Sequence, residues 1–390
     1  MAIVISSPQT LSFSANVAPL VVAATTATSF VLKKNGVEIL NEMYYPDNTG
    51  KFNVELKEII DAVLLVSIPT GIIFTQINAV ATFTIYINNV LQCSFDCVKS
   101  GIDGNPPSAI NFFKANFLTW QPQELKVKYD DPQYLTYYAT EIIIVKLNFF
   151  YFQSGVIASH IAHYGSFSAG DCYTFNMKYS YLRSKCIPTS LKPSFIEVWV
   201  ENTSGVRLSY KQRYQLQDDY DRFDDLFLFE NSLGGIDVIR FNGWMQGRDD
   251  HKISSAVFNG HTKEYDLEYM RIFSKNTGYI SSETYRKWAL DFFSCINRYH
   301  ISEGQNKQIV LPKFETKNTK GELNDFSFEF YYSDKDKYES YSRLAALPSV
   351  EDDEMVIAPD WVNILPPVNP YSFNASFSKS FRSFNYAKSE

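Results

Sequence analysis

The side chains best suited to metal or proton chemistry are few and scattered. Five histidines stand at His160, His163, His251, His261 and His300. None belongs to an HExxH string, the spacing that puts two imidazoles and a general base on one helical face. His160 and His163 lie three apart near Gly155 and Gly165, which reads as a loop with two potential ligands and no evident third. Five cysteines, Cys93, Cys97, Cys172, Cys186 and Cys295, form no CxxC pair, and their odd number argues against a disulfide scaffold. Cys93 and Cys97, four apart in a strand-like stretch, fall on one face and read as small buried hydrophobes.

The carboxylates give no stronger signal. Asp218, Asp219, Asp221, Asp224 and Asp225 crowd one short run. The run lacks the central glycine and terminal glutamate of a calcium-binding EF-hand, so it reads as a solvated turn. Asp249-Asp250-His251 sets acid and base side by side, but glycoside hydrolysis needs two carboxyls at a fixed separation in a cleft, which adjacent loop residues do not supply. A phosphate-binding GxxxxGK[ST] loop, a GxGxxG after a strand and a GxSxG elbow are all missing from the sequence. The expectation is a non-enzyme with no catalytic residues, cofactor or metal.

The elements around these residues are mostly strands. The chain has 390 residues, and its net charge of −7 argues against duplex nucleic acid as a partner. Its 31 Phe and 26 Tyr favour strands and contact surfaces over helical bundles. From Ala62 to Phe95 no residue is charged, yet Pro69, Thr70 and Gly71 interrupt the run and Ala79–Ile87 alternates, so a strand is expected and membrane insertion is not. The first residues lack the positive leader and cleavage site of a secretory signal, so export is not expected from them.

The pattern predicts a mainly β fold of several β-sandwich-like domains, a few short helices and an extended C-terminal arm. Residues 1–100 form a first sandwich, with hairpin turns at Asn35-Gly36 and Asn88-Asn89 and a helix carrying Leu56, Ile59, Ile60, Val63 and Leu64. A linker near Gly101 opens a second β domain, 101–215, with core strands Ile142–Phe152 and Phe195–Val200. A third β-rich domain, 216–347, has one helix that starts at Ser281 and turns Tyr285, Trp288, Ala289, Phe292 and Ile296 to one face. Prolines and serines mark 348–390 as an interaction arm with Phe373, Phe377, Phe381, Phe384 and Tyr386 as apolar anchors, ordered only against another subunit.

One string stands out: Asn231-Ser-Leu-Gly-Gly-Ile-Asp237 follows the strand Leu226–Phe229. Its glycines, Gly234 and Gly235, permit positive φ and close backbone approach, so Asn231, Gly234, Gly235 and Asp237 read as a tight structural turn. The longer segment Phe227–Gly243, with Tyr210–Leu216, Phe117-Leu-Thr-Trp-Gln-Pro-Gln123, Asp131-Pro-Gln-Tyr-Leu-Thr-Tyr137 and Thr277-Gly-Tyr-Ile-Ser281, resembles tail-associated structural proteins of Bacteroidetes phages and prophages. The resemblance spans roughly residues 1–335. It implies a non-enzymatic virion subunit of a tail, baseplate or neck, present in repeated copies, whose partners are other virion subunits and copies of itself. A carbohydrate-binding adhesin, stacking a host surface glycan on aromatic rings, is the alternative.

Overall fold

Strict alternation of apolar residues makes the first hundred residues fold as two sheets around one core. The computed structural model describes residues 2–153, 156–185, 192–217, 223–280, 282–302, 304–316 and 324–334. The strands here are β1 (Ala2–Ser6), β2 (Leu11–Phe13), β3 (Leu20–Ala24), β4 (Thr28–Lys34), β5 (Val37–Tyr44), β6 (Lys51–Val54), β7 (Ile73–Thr75), β8 (Val80–Ile87) and β9 (Val90–Val98). One sheet runs β1-β3-β6 and the other β2-β9-β8-β4-β5. Leu20, Val22 and Val54 of the first meet Phe30, Phe83 and Ile85 of the second. Asn35-Gly36 and Asn88-Asn89 turn the hairpins with all four residues at positive φ, the geometry of a type I′ turn. Helix α1 (Lys57–Val63) closes the core with Ile60, and the flanking Leu56 and Leu64 are fully buried beside it.

The second segment contains α2 (Ala109–Ala115), β10 (Glu124–Lys128), β11 (Tyr134–Tyr138), β12 (Ile143–Gln153), β13 (Val156–Phe167), β14 (Cys172–Asn176), α3 (Tyr179–Leu182), β15 (Phe195–Asn202) and β16 (Gln212–Gln217). A sheet ordered β10-β16-β15-β12-β13 faces a smaller one, β11-β14-β7. Strand β7 comes from the first segment and pairs Thr75 with Tyr173 and Ile73 with Phe175. Phe117, Tyr137, Phe149 and Phe175 fill the core between the sheets.

The third segment builds one seven-stranded sheet from β17 (Asp225–Glu230), β18 (Ile236–Phe241), β19 (Met245–Phe258), β20 (His261–Asn276), β21 (Arg298–Ser302), β22 (Gln305–Thr316) and β23 (Phe326–Tyr332). Its order is β18-β17-β21-β22-β23-β20-β19. Helix α4 (Glu283–Ser294) buries Trp288, Ala289, Phe292 and Phe293 against Phe227, Phe241 and Phe328 of that sheet. Its N-cap is Ser282, whose Oγ accepts the Tyr285 amide at 3.1 Å, in place of Ser281, which lies outside the described residues. The helix also stops before Ile296, which follows the extended Cys295 cap and is 87% exposed instead of joining the apolar face.

The chain divides into residues 1–335 and 336–390. The second unit, and with it the arm anchors Phe373, Phe377, Phe381, Phe384 and Tyr386, lies outside the described residues. Within 1–335 the three expected segments each have a core, but two further clusters join them. Phe13 and Val98 pack with Phe113, Leu118, Tyr138 and Leu233, and Tyr134 packs with Leu228, Ile236 and Val238. The stretch at Gly101, expected as a linker, is bound in place. The Gly101 amide donates to the Ser232 carbonyl at 2.7 Å, and the Ile102 amide to Asn16 Oδ1 at 2.9 Å.

Candidate functional site

The Asn231–Asp237 turn lies where all three segments meet. Asn231 holds it from within: its Oδ1 accepts the amides of Leu233 and Gly235 at 3.0 and 2.9 Å, while its Nδ2 donates to the Leu118 carbonyl at 2.8 Å. Gly234 takes a φ of +79°. A β-carbon there would sit inside the Lys99 carbonyl oxygen, and one on Gly235 inside that of Leu118. The two glycines therefore let the turn press against the backbone of the first and second segments together.

Asp237 is fully buried at the end of this turn. Its Oδ2 accepts from Thr119 Oγ1 at 2.8 Å and from Trp288 Nε1 at 2.9 Å, and its Oδ1 accepts from Gln121 Nε2 at 2.9 Å. Burial pushes its pKa up to about 7 against the pull of the Thr119, Trp288 and Asn231 hydrogen bonds. The Phe117–Gln123, Asp131–Tyr137 and Phe227–Gly243 strings all reach this point, since Thr136 Oγ1 also accepts the Ile236 amide at 3.3 Å.

A second charged group lies at the start of β17. The expected solvated turn is corrected for its two described members, Asp224 and Asp225, which are paired and largely buried; Asp218, Asp219 and Asp221 lie outside the described residues. Asp224 Oδ2 meets Lys128 Nζ and Arg240 Nη1, both at 2.5 Å, and Arg240 also binds Asp131. The Lys275 side chain is completely buried and donates to Asp225 Oδ2 at 2.5 Å, to the Phe223 carbonyl at 2.8 Å and to the Gly243 carbonyl at 2.6 Å. Burial raises the Asp225 pKa, but His300 and Lys275 outweigh it and hold the carboxyl below its ordinary value. These partners lie tens of residues apart, so no local spacing announces them.

The other candidates separate. His160 and His163 stand in strand β13, not in a loop, opposite Phe149 and Lys146 of β12. Three residues apart on a strand, they face opposite sides of the sheet. Among the described residues no three His, Cys, Asp or Glu side chains gather to hold a metal ion. Asp249, Asp250 and His251 also lie in a strand, β19, and not in a loop. Neighbouring carboxylates on a strand point to opposite faces. Asp249 is held by Arg271 Nε at 2.9 Å and Tyr269 Oη at 3.0 Å.

Strands β19 and β20 form the most exposed feature, which the sequence reading passed over. They pair from Met245↔Lys275 to Phe258↔His261 and turn at Asn259-Gly260, both at positive φ. Only Phe273–Asn276 of β20 pairs with β23, so the rest of the hairpin leaves the sheet as a two-stranded ribbon. Ile253, Val257, Phe258 and Tyr265 are each more than half exposed along it.

Two clefts flank the hub. One of about 840 Å³ is lined by Lys126, Gln217, Asp224, Arg240, Tyr279 and Tyr285. The other, of about 910 Å³, is lined by Asn16, Asp61, Trp120, Asn231, Asp291 and Ile296. Trp120 is 37% exposed, and its Nε1 donates to Ser232 Oγ at 2.8 Å. Burial raises the pKa of Asp291. Compared with known families and curated proteins, the chain matches no family model and no curated protein.

Two outcomes test the hub. Gly234→Ala should lower unfolding free energy by about 3 kcal/mol or more, because it adds a backbone clash to a left-handed φ; urea denaturation measures it. The raised pKa of Asp237 means the folded state holds its proton more tightly than the unfolded chain. Its stabilising contribution is therefore complete below about pH 4 and lost as the pH rises through about 7. The stability difference between wild type and Asp237→Asn should shift against wild type across that window and stay level above it.

Proposed function

We propose that this protein is a non-enzymatic structural subunit of a phage virion, a tail, baseplate or neck component that assembles in repeated copies. The observation that carries this reading is the β19–β20 ribbon. An isolated two-stranded hairpin is marginal in water, and three or more strands or a packed face are needed to stabilise one. Here a long ribbon has, among the described residues, no further strand on either edge beyond Phe273, and it carries exposed Ile253, Val257, Phe258 and Tyr265. Such a segment gains most when another subunit covers it. The strings that resemble phage tail proteins support the virion setting, because they converge on the hub that holds the body together. Virion subunits and other copies of the chain are then its partners, and assembly occurs in the cytoplasm of the bacterial host.

The second cleft favours one other reading. Trp120 at its wall, beside Asp61 and Asn16, has the aromatic face and polar neighbours that bind a sugar, as an adhesin would. Specific binding on a glycan array, lost in Trp120→Ala, would establish this reading over the first.

Replacing residues 249–271 by Asn-Gly joins the paired Arg248 and Ile272 and removes the ribbon. The trimmed protein should unfold at the same urea concentration as wild type and fail to enter particles, as seen by electron microscopy and gel analysis of purified virions. Normal particles built with the trimmed subunit would overturn the proposal.

A further inference from the structure

The ribbon's outer strand, β19, is the last strand of the seven-stranded sheet, and among the described residues its outer edge has no partner strand along Met245–Phe258. Natural edge strands are blunted by short length, proline, bulges or lysine. This one is 14 residues long and contains no proline; the hairpin's bulge, at Tyr265 opposite Ser254 and Ser255, falls on β20, and the charges of β19, Arg248, Asp249, Asp250 and Lys252, are of both signs. Lys275 is buried and paired with Asp225, and the hairpin's remaining charges nearly cancel: Arg248, Lys252, Lys263 and Arg271 stand against Asp249, Asp250, Glu264, Asp266 and Glu268. Little net field opposes approach of an identical ribbon, and an unrelated charged partner gains little steering from it.

We infer that β19 pairs antiparallel with β19 of a second copy across a two-fold axis at His251, giving a four-stranded intermolecular sheet in the order β20-β19-β19-β20. This inference rests on the reading of the chain as a repeated structural subunit, and it names the contact. A two-fold normal to the sheet keeps each side chain on its own face, so the axis must pass through one residue or the gap opposite it. The sequence of the strand then selects the register. Centred on His251, Asp250 of each copy lies opposite Lys252 of the other, and Met245 lies opposite Val257. Arg248 faces Ser254 and Asp249 faces Ile253, so no like-charged carboxylates or ammonium groups meet. A step in one direction sets Asp250 against Asp250, and a step in the other sets Lys252 against Lys252. Like charges directly opposite on a sheet are destabilising and opposite charges favourable. A centre further along, at Ile253, avoids like charges but shortens the paired stretch and loses both ion pairs.

Asp250 also lies 3.5 Å from Arg248 of its own strand, so a single substitution disturbs more than the new contact. Exchanging both charges keeps the altered Arg248 contact of the Asp250→Lys single, so recovery from the single to the double exchange reads the contact between copies. In the full chain, Asp250→Lys and Lys252→Asp should each weaken self-association by about tenfold, whereas the double exchange should restore it to within about threefold of wild type. Sedimentation equilibrium measures this. Single exchanges without effect, or a double exchange that fails to restore association, overturn the inference. In assembled particles His251→Cys should give a disulfide-linked dimer under mild oxidation, and Ser255→Cys should not. Particles that hold many copies but no His251→Cys dimer refute this contact and leave the repeated-subunit reading intact. A subunit that is monomeric in solution and present as a single copy in particles refutes both.

Discussion

The buried carboxylate of Asp237 is the interaction on which the body depends. Taking an ionisable oxygen pair out of water is costly unless donors replace the lost solvent. The three donors come from two places: Thr119 and Gln121 ahead of β10, and Trp288 in the middle of α4. None of them can be supplied without docking the second segment and the helix onto the same sheet. The glycine pair before Asp237 is the steric side of the same requirement, since it admits the Lys99 and Leu118 carbonyls to contact. The asparagine that opens the turn completes it by fixing the backbone from inside.

A second buried group fixes the base of the ribbon as firmly as Asp237 fixes the body. Lys275 pairs with Met245 in the stretch of β20 still joined to β23, just inside the exit of β19 and β20 from the sheet. Its ammonium group reaches Asp225 and the carbonyls of Phe223 and Gly243, which are the flanks of that exit. His300 stacks beside it between Phe227 and Tyr332. The ribbon is thus rooted by desolvated charge at one end and bare at the other, so its direction is set by the body while its surface remains open.

What the sequence revealed follows from contrast between inside and outside. The mainly β class and the apolar stripe of α4 show in apolar periodicity, β12 and β15 in near-continuous apolar runs, and the Asn35-Gly36 and Asn88-Asn89 hairpins in their turn residues. The ribbon has almost no such contrast: its residues are exposed on both faces, so polar and apolar side chains mix without period, and only Asn259-Gly260 marked it. The paired Asp224 and Asp225 looked like a solvated run because their cations, Lys128, Arg240 and Lys275, lie far away in the chain. His160 and His163 looked like loop residues because Gly155 and Gly165 flank them, yet β12 extends the ladder over both. The helix start was missed by one residue, where two serines compete for the cap. The turn at Asn231 was legible as a turn, but its place as a three-way junction depends on contacts more than a hundred residues apart.

Those long separations bear on how the chain matures as it is made. The first sandwich has all its own strands once Val98 has emerged, but β7 must wait for β14, which arrives some hundred residues later. Thr119 and Gln121 wait longer still, until Asp237 and then Trp288 leave the ribosome. Contacts of such sequence distance close slowly, because the loop entropy must be spent before they form. Synthesis therefore passes through an interval in which two sandwich cores exist and their common junction does not. The ribbon is made within that interval, after Asp237 and before Trp288, so its sticky edge emerges while the body that roots it is still open.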